Sequence, residues 1–203
     1  MKLNELIINS VKLDEIPKPG IISQLKMAPK DRKVCLKKHK ALRFAATTML
    51  LYPINQVLHF CLIRRTIKTD THSNQIGFPG GEKDKFDKNY WATAVREMSE
   101  EIGVKKNEVL YLTKLSKIFI PVSNFVVYPY IARTDKRPSF KLNNKEVEYL
   151  IEVKLSMLLS KKSIGTLKVL SRKVPAFNFD GEKVWGATAM ILAEARDLFL
   201  LLK

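Results

Sequence analysis

Three glutamates lie close together in a chain that is otherwise strongly basic. Glu97, Glu100 and Glu101 belong to the sequence REMSEE, whereas the whole chain carries a formal net charge of +16. On a helix, the spacing i, i+3 and i+4 brings three carboxylates onto one face, where they repel one another. Magnesium and manganese ions prefer oxygen ligands, so the cluster indicates a divalent-cation site. The alternative is a solvated helix face with ion pairs to neighbouring lysines.

The segment from about residue 89 to residue 102 is predicted to be a helix that carries these carboxylates. Asp87 and Asn89 are both candidates for its N-cap, and Gly103 stands where a C-terminal glycine belongs. Its core stripe is predicted from helical spacing to be Trp91, Val95, Met98 and Ile102. The carboxylate face is therefore expected to point away from the core.

The remaining pattern predicts strands and helices that alternate without regular βαβ spacing. Residues 1–40 are predicted to be a helix followed by an irregular basic lead-in. Strands are predicted at 44–52, 56–65, 75–78, within 108–120, at 125–133, at 146–155 and before a turn at 180–181. A turn at 53–55 joins the first two strands, and an apolar helix is predicted over 185–202. An α/β sandwich around a mixed sheet fits this order best.

Length and composition favour one globular domain over residues 1–203. The chain has 203 residues, of which 46% are hydrophobic, which is enough for a sizeable core. The longest uncharged stretch, residues 44–63, is interrupted by polar residues, so no membrane association is expected. Acidic residues near the start argue against a signal peptide, and a cytoplasmic protein is expected. Cys61 lies in an apolar strand and is expected to be a buried free thiol.

The sequence GG…REMSEEIGV resembles the Nudix box, G-x5-E-x7-R-E-U-x-E-E-x-G-U, in which U is a bulky apolar residue. The second half matches at Arg96, Glu97, Met98, Glu100, Glu101, Gly103 and Val104. In the first half, direct spacing would place Lys88 and Glu82 at the box glutamate and glycine. With one inserted residue, Gly81 and Asp87 take those positions. The box then covers residues 81–104, and the resemblance implies the Nudix α/β/α sandwich.

Within this family, the chain resembles the coenzyme A pyrophosphatase branch. The segment FPGG (residues 78–81) and an aspartate in the first half of the box are features of that branch. The segments IPVSNFVVYPYIA, EVEYLIEVKLSMLL and VPAFNFDGEKVWGATAMIL are also similar to it. Ahead of the box, Leu62 and Arg65 match the branch signature. Four positions depart from it, namely Ile63, Thr66, Asp70 and Asn74.

The resemblance implies a role for each residue of the box. Glu97, Glu100 and Glu101 are expected to bind Mg²⁺ or Mn²⁺, with the Gly81 carbonyl completing the shell. Glu97 is also a candidate to activate water. Arg96 is expected to hold a glutamate in place rather than to touch substrate. A further catalytic glutamate is expected downstream, and the candidates are Glu146 and Glu148.

The implied substrate is a small nucleotide such as coenzyme A, cleaved at its pyrophosphate. Its phosphates are expected to meet Arg64, Arg65 and Lys83. Gln75 is expected to help bind substrate through the loop before the box, which His72 and Ser73 would also orient. The alternatives are another nucleotide, such as ADP-ribose, a dinucleotide or a nucleoside triphosphate, and a non-catalytic nucleotide- or nucleic-acid-binding domain. No RNA-recognition signature or zinc finger supports nucleic acid, so no such partner is expected; the chain is expected to be a monomer or a homodimer.

Overall fold

The computed structural model of the protein describes residues 13–29, 41–66 and 75–202. The α-helices that lie wholly in these ranges are α1 (Gly20–Leu25), α2 (Tyr90–Ile102), α3 (Leu155–Leu159) and α4 (Gly186–Leu200). Short 3-10 helices cover Lys106–Glu108 and Lys161–Ser163. The strands are β1 (Arg43–Ile54), β2 (Val57–Arg65), β3 (Ile76–Gly77), β4 (Gly80–Glu82), β5 (Leu110–Lys114), β6 (Ile118–Ile120), β7 (Phe125–Arg133), β8 (Val147–Lys154), β9 (Ile164–Val169), β10 (Arg172–Phe179) and β11 (Glu182–Trp185).

The main sheet is mixed, and β1 lies at its centre. β1 pairs in parallel with β7 and antiparallel with β2. The hairpin between β1 and β2 turns at Asn55 and Gln56, which both have positive φ (49° and 63°), as a tight type I′-like turn requires. Both predicted strands are confirmed, while the turn predicted at 53–55 lies slightly further along the chain.

Strands β1 and β2 diverge beyond their hairpin, and the segment before the box fills the gap between them. They pair with each other only over residues 51–54 and 57–60. Further along, β3 pairs with the end of β2, while β4 pairs with the start of β1 on the edge opposite β7. Glycines 80 and 81 thereby become part of the sheet. The short predicted strand at 75–78 is confirmed, but β4 was not predicted, because two consecutive glycines are typical of loops.

Alternating residues of β1 and β2 face the two sides of the sheet. Leu50, Tyr52, Cys61 and Ile63 pack with Met98 and Ile102 of α2. Met49, Leu51, Phe60 and Leu62 pack instead with α4 and with the small antiparallel sheet β9–β10–β11. The rings of Phe60 and Phe179 meet edge to face with centroids 5.9 Å apart. The predicted α/β/α sandwich around a mixed sheet is therefore confirmed.

Helix α1 lies where an irregular lead-in was predicted, and that prediction is wrong for residues 20–25. The prolines on either side of this segment indicated an irregular structure, but the segment forms a short helix that packs on α4. The amide of Gln24 donates to the buried carboxylate of Glu194 (2.8 Å). The helix predicted at the start of the chain falls mainly on residues 1–12, outside the described ranges.

Most of the remaining predicted elements are confirmed. The turn at Asp180 and Gly181 and the C-terminal helix lie as expected. The segment 108–120 forms two strands rather than one, and α3 and β9 were not predicted. Cys61 is a buried free thiol, as predicted. In the described part of the chain, no helix is long and apolar enough to span a bilayer.

Gly80 provides a test of the packing of β4 against β1. A Cβ at this position would lie 2.7 Å from the Cα of Thr47 and also overlap the Ala46 carbonyl, which are both backbone groups. Gly80→Ala is expected to lower the free energy of unfolding by about 1–3 kcal/mol, as measured by urea denaturation. The control is Gly165→Ala in β9, where a Cβ would meet no atom within 4 Å. Equal stabilities of the two variants would contradict the described packing around β4.

Candidate active site

The ends of helix α2 determine where its glutamates lie. The side chain of Asn89 accepts a hydrogen bond from the amide of Ala92 (2.9 Å), so Asn89 is the N-cap rather than Asp87. Gly103 adopts the left-handed conformation (φ 72°), and its amide donates to the Ser99 carbonyl (3.0 Å). The predicted helix is thus confirmed. Its buried side packs on the sheet and sets the rotation of the helix about its axis.

The three carboxylates share a region of the helix but differ widely in exposure. The side chain of Glu100 is 55% exposed, that of Glu97 is 15% exposed, and that of Glu101 is 1% exposed. The expectation that this face points away from the core is therefore wrong for Glu101. At helical spacing Glu101 borders the core stripe, and the segment carrying Gly80 covers it.

Two donors from different strands hold the buried Glu101 carboxylate. The amide of Gly80 donates to Oε2 (2.8 Å), and Nη1 of Arg65 donates to Oε1 (3.0 Å). Burial raises the pKa of Glu101 to about 7, and both donors act against this increase by favouring the ionised form. The position of Arg65 opposite Glu101 was not predicted from the sequence. A partial signal was its position two residues after Ile63, since alternation places these two side chains on one face of β2. The packing of Ile63 against α2 then identifies that face as the helix face.

Arg96 is held by the loop between β4 and α2. Its guanidinium donates to both carboxylate oxygens of Asp87, from Nε (3.1 Å) and from Nη2 (3.0 Å). Nη2 also donates to the backbone carbonyl of Glu82 (3.0 Å). Arg96 in turn keeps the pKa of Asp87 at about 2 through these hydrogen bonds. The planar fork of an arginine suits such bidentate pairing.

The same guanidinium reaches the other two glutamates of the box. Nη1 of Arg96 lies 2.7 Å from Oε1 of Glu97 and 2.9 Å from Oε2 of Glu100. Partial burial raises the pKa of Glu97, Arg96 lowers it, and the charges of Glu100 and Glu146 add to the increase. Arg96 therefore contacts two carboxylates of the cluster, which is the geometry expected of a residue that holds a glutamate in place.

Gly81 leaves room for the carboxylate of Glu97. A Cβ on Gly81 would lie 2.7 Å from Oε1 of Glu97 and closer still to the other oxygen. Any larger residue at this position would displace the carboxylate. The absence of a side chain at position 81 thus brings backbone close to the acidic cluster, as the motif led us to expect.

A bulge in β8 separates the two downstream glutamates. Arg64 lies opposite Tyr149, but Arg65 lies opposite Val147, so Glu148 is the extra residue. Bulges of this kind redirect side chains and are common beside active sites. Glu148 is exposed, whereas Val147 is fully buried.

The turn that carries Glu146 is fastened to the end of helix α2. The amides of Lys141 and Asn143 donate to the carbonyls of Ile102 (3.0 Å) and Glu101 (2.9 Å), and the amide of Glu146 donates to the Asn143 carbonyl (2.9 Å). After burial, which is the largest cause, the charge of Glu146 contributes to the raised pKa of Glu101, as it does for Glu97. Of the two downstream candidates, Glu146 is therefore the one whose charge acts on the cluster.

The residues predicted to bind substrate are not all in one place. Arg65 contacts Glu101, while Arg64 lies on the opposite face of β2 beside Tyr149. Nζ of Lys83 donates to the carbonyls of Asp84 (3.2 Å) and Asp87 (2.8 Å). The Gln75 carbonyl accepts from the Arg65 amide (3.1 Å). His72 and Ser73 lie outside the described residues, and the substrate roles of the others stay predictions.

The donor set suits a hard divalent cation in type and in charge. The carboxylates of Glu97, Glu100 and Glu101 offer only oxygen, which Mg²⁺ and Mn²⁺ prefer. Across residues 13–29, 41–66 and 75–202, no three acidic, histidine or cysteine side chains form a ready-made cation site. Glu97 and Glu100 are instead bridged by Arg96. Burial is the largest cause of the raised pKa of Glu97 and Glu101, and repulsion from neighbouring carboxylates adds to it; a bound cation would relieve that repulsion.

Comparison with known protein sequences identifies relatives of this arrangement. Residues 43–168 match the family model of the NUDIX domain. A probable nudix hydrolase of Schizosaccharomyces pombe is 31% identical over 153 residues, which are 74% of this chain and 54% of that protein. NudL of Photorhabdus laumondii, an uncharacterized Nudix hydrolase, is 33% identical over 135 residues, or 64% of this chain and 72% of NudL. The chain thus spans about half the length of the fission-yeast relative.

Solved structures show the same fold at low sequence identity. The Nudix hydrolase RenU of M. smegmatis aligns with a TM-score of 0.56 and 15% identity, over 78% of this chain and 86% of RenU. The NUDIX domain of Shewanella oneidensis NrtR, crystallised with ADP ribose, aligns with a TM-score of 0.53 and 14% identity, over 81% of this chain and 93% of that domain. These likenesses confirm the predicted sandwich fold.

The pair between Asp87 and Arg96 provides a test of the site's construction. Asp87→Asn is expected to lower the free energy of unfolding at pH 7 by about 1.5–3 kcal/mol, because a charge-assisted hydrogen-bonded pair is lost. The pKa of Asp87 falls from an ordinary 3.8 to about 2 on folding, so the wild type is stabilised above pH 3.8 and loses this stabilisation as the pH falls towards 2. The difference between variant and wild type should shrink over that range.

Urea denaturation in the presence of a chelator measures this difference. Asp180→Asn, in an exposed turn, is the control and is expected to change stability by less than about 0.5 kcal/mol. An Asp87→Asn protein as stable as the wild type at pH 7 would show that the pair contributes nothing.

Proposed function

The chain belongs to the Nudix family, and from that premise we propose that it hydrolyses the pyrophosphate bond of a nucleoside diphosphate derivative in a cation-dependent reaction. The observation that carries this proposal is the set of Glu97, Glu100 and Glu101 on α2, placed against the Gly80–Gly81 backbone. A helix face built only for solubility would not need a carboxylate that is 1% exposed. Burying an ionisable group is costly unless its interactions compensate.

We propose Mg²⁺ or Mn²⁺ as the cofactor, held by Glu97, Glu100, Glu101 and the Gly81 carbonyl. When bound, such a cation neutralises pyrophosphate oxygens and lowers the pKa of the attacking water. Among the protein's own groups, Asp87 holds Arg96, and Arg96 orients Glu97 and Glu100.

A carboxylate is also needed to accept the proton of the attacking water. Burial raises the pKa of Glu97, and a carboxyl whose pKa moves towards neutrality is a better general base. Glu146 lies in the turn before β8, its charge acts on the same cluster, and it is the second candidate for this role. Glu148 lies at the bulge and is exposed, so we propose Glu146 as the downstream catalytic carboxylate.

We propose coenzyme A or one of its derivatives as the substrate, with 3′-phosphoadenosine 5′-phosphate and 4′-phosphopantetheine as products. The features that support this are Phe78–Gly81 and Asp87, together with Leu62 and Arg65 ahead of the box. The net charge of +16 favours the approach of a polyphosphate to the acidic, cation-binding centre. Arg64 and Lys83 are candidates to contact the phosphates.

A different nucleotide is the second candidate substrate, and a specific observation favours it. Ile63, Thr66, Asp70 and Asn74 differ from the signature of the coenzyme A branch. ADP-ribose, a dinucleotide or a nucleoside triphosphate would be cleaved by the same acidic centre, since the chemistry concerns only the pyrophosphate.

The proposal is tested by incubating the protein with coenzyme A and Mg²⁺ or Mn²⁺ and identifying the products by mass spectrometry. Both expected fragments should appear, and a chelator should abolish them. Glu100→Gln should reduce the rate by at least about 100-fold, because a cation ligand is lost. Glu108→Gln is the control, since Glu108 is exposed in the short 3-10 helix that follows α2.

The other outcomes separate the alternatives. Cleavage of ADP-ribose or a dinucleotide, with coenzyme A intact, would refute the coenzyme A assignment and keep the pyrophosphatase chemistry. No cleavage of any nucleotide, together with tight and salt-sensitive binding of nucleic acid, would favour a binding domain instead.

A further inference from the structure

We propose that Arg65 is a positioning residue that orients the carboxylate of Glu101 for cation binding, rather than a substrate ligand. This inference rests on the proposed function, because it takes Glu101 to be a cation ligand. It concerns the contact of a box glutamate with Arg65, which lies outside the Nudix box at the end of β2. It also replaces the substrate-binding role that the sequence suggested for Arg65.

The geometry around Glu101 leaves its carboxylate little freedom. One oxygen accepts from the Gly80 amide (2.8 Å) and the other from Nη1 of Arg65 (3.0 Å). A carboxylate offers about four lone-pair positions, so about two remain for another partner. With both oxygens engaged, the direction of the remaining positions is determined by the two donors.

Both donors are attached to the sheet. Arg65 ends β2, and its amide donates to the Gln75 carbonyl (3.1 Å), next to β3. Gly80 begins β4, which pairs with β1. Glu101 is thus held from two strands that lie on opposite sides of the gap between β1 and β2. A donor on rigid secondary structure places a side chain more accurately than one on a loop.

Arg65 places a positive charge beside the proposed cation site, and this arrangement needs an explanation. A guanidinium beside a cation site disfavours the cation through direct repulsion. Its side chain is 28% exposed, and the carboxylate it contacts is 1% exposed. Orientation of the carboxylate is the benefit that can outweigh this repulsion. Arg96 serves Glu97 and Glu100 in the same way, so the two arginines divide the three glutamates between them.

Arg64 is a matched control, because it is the neighbouring arginine on the same strand. Alternation along β2 places its side chain on the face opposite Glu101, and Tyr149 lies opposite it in the sheet. Removal of either arginine changes the net charge of the protein equally. Only removal of Arg65 takes away a donor to Glu101.

The test is the affinity of the substrate-free protein for Mn²⁺, measured by calorimetry or by the electron paramagnetic resonance signal of free Mn²⁺. Arg65→Ala is expected to weaken Mn²⁺ binding by about 10–100-fold, the usual loss when the partner of a metal ligand is removed. Arg64→Ala should not weaken Mn²⁺ binding, because it removes a positive charge but no donor to Glu101. Direct charge repulsion alone predicts stronger Mn²⁺ binding once Arg65 is removed, so weaker binding shows that Arg65 supports Glu101 as a ligand.

Two further variants link the effect to Glu101. Glu101→Ala should weaken Mn²⁺ binding, and adding Arg65→Ala to it should cause no further loss, since the two residues act as one unit. Arg65→Lys keeps the charge and one donor nitrogen and should recover part of the affinity. It also serves as the test if Arg65→Ala does not fold, as judged by circular dichroism. In hydrolysis assays Arg65→Ala should lower kcat more than it raises KM.

Two results would overturn the inference. If Arg65→Ala leaves Mn²⁺ affinity unchanged or stronger and mainly raises KM, Arg65 is a substrate ligand. That outcome leaves the proposed function intact. If Glu101→Ala itself leaves Mn²⁺ affinity unchanged, the cation assignment of Glu101 fails, and the inference about Arg65 fails with it.

Discussion

The carboxylate of Glu101 lies against the strands that meet where β1 and β2 separate, and it is almost completely removed from solvent. A buried carboxylate needs hydrogen-bond donors, because desolvation of an unpaired charge is costly. The sheet supplies them from its two sides through the Gly80 amide and the Arg65 guanidinium. Several features meet at this contact: the glycine at position 80, the short strands β3 and β4 beside the gap, and the buried end of α2. The gap in the sheet is therefore the structural basis of the acidic centre.

Charge is arranged around that contact at two scales. The chain as a whole is basic, with a net charge of +16, while the end of α2 concentrates acid. Among the described residues, the carboxylates of Asp87, Glu97, Glu100 and Glu101 pair with two guanidiniums, from Arg65 and Arg96. The centre thus retains an excess of negative charge for a cation, and the basic surface suits an anionic substrate.

The sequence predicted the parts of this structure that follow from local rules. The uncharged stretch at 44–63, with a turn inside it, predicted β1 and β2, and helical periodicity with Asn89 and Gly103 predicted α2 almost to the residue. The types and spacing of the glutamates indicated a divalent-cation site. Alternation along β2 separates Arg65 from Arg64, but the sequence alone does not show which face of the strand meets the helix. That depends on long-range packing between segments far apart in the chain.

Other features could not be predicted because they oppose local rules. β4 contains two glycines and pairs only because β1 and β2 diverge beside it. The bulge at Glu148 breaks the alternation that would have placed Glu146 and Glu148 on the same face. The burial of Glu101 contradicts the usual exposure of glutamate. Each of these exceptions lies at the candidate active site, and functional sites are where proteins commonly depart from local sequence preferences.

The most direct measurement is a crystal structure of the protein with Mn²⁺, read from the anomalous scattering of manganese. We expect manganese within coordination distance of oxygens from Glu97, Glu100 and Glu101. Arg65 should still donate to Glu101 in that structure, and Asp87 should still hold Arg96. Well-ordered crystals in excess Mn²⁺ with all three carboxylates unchanged and no manganese beside them would contradict the account.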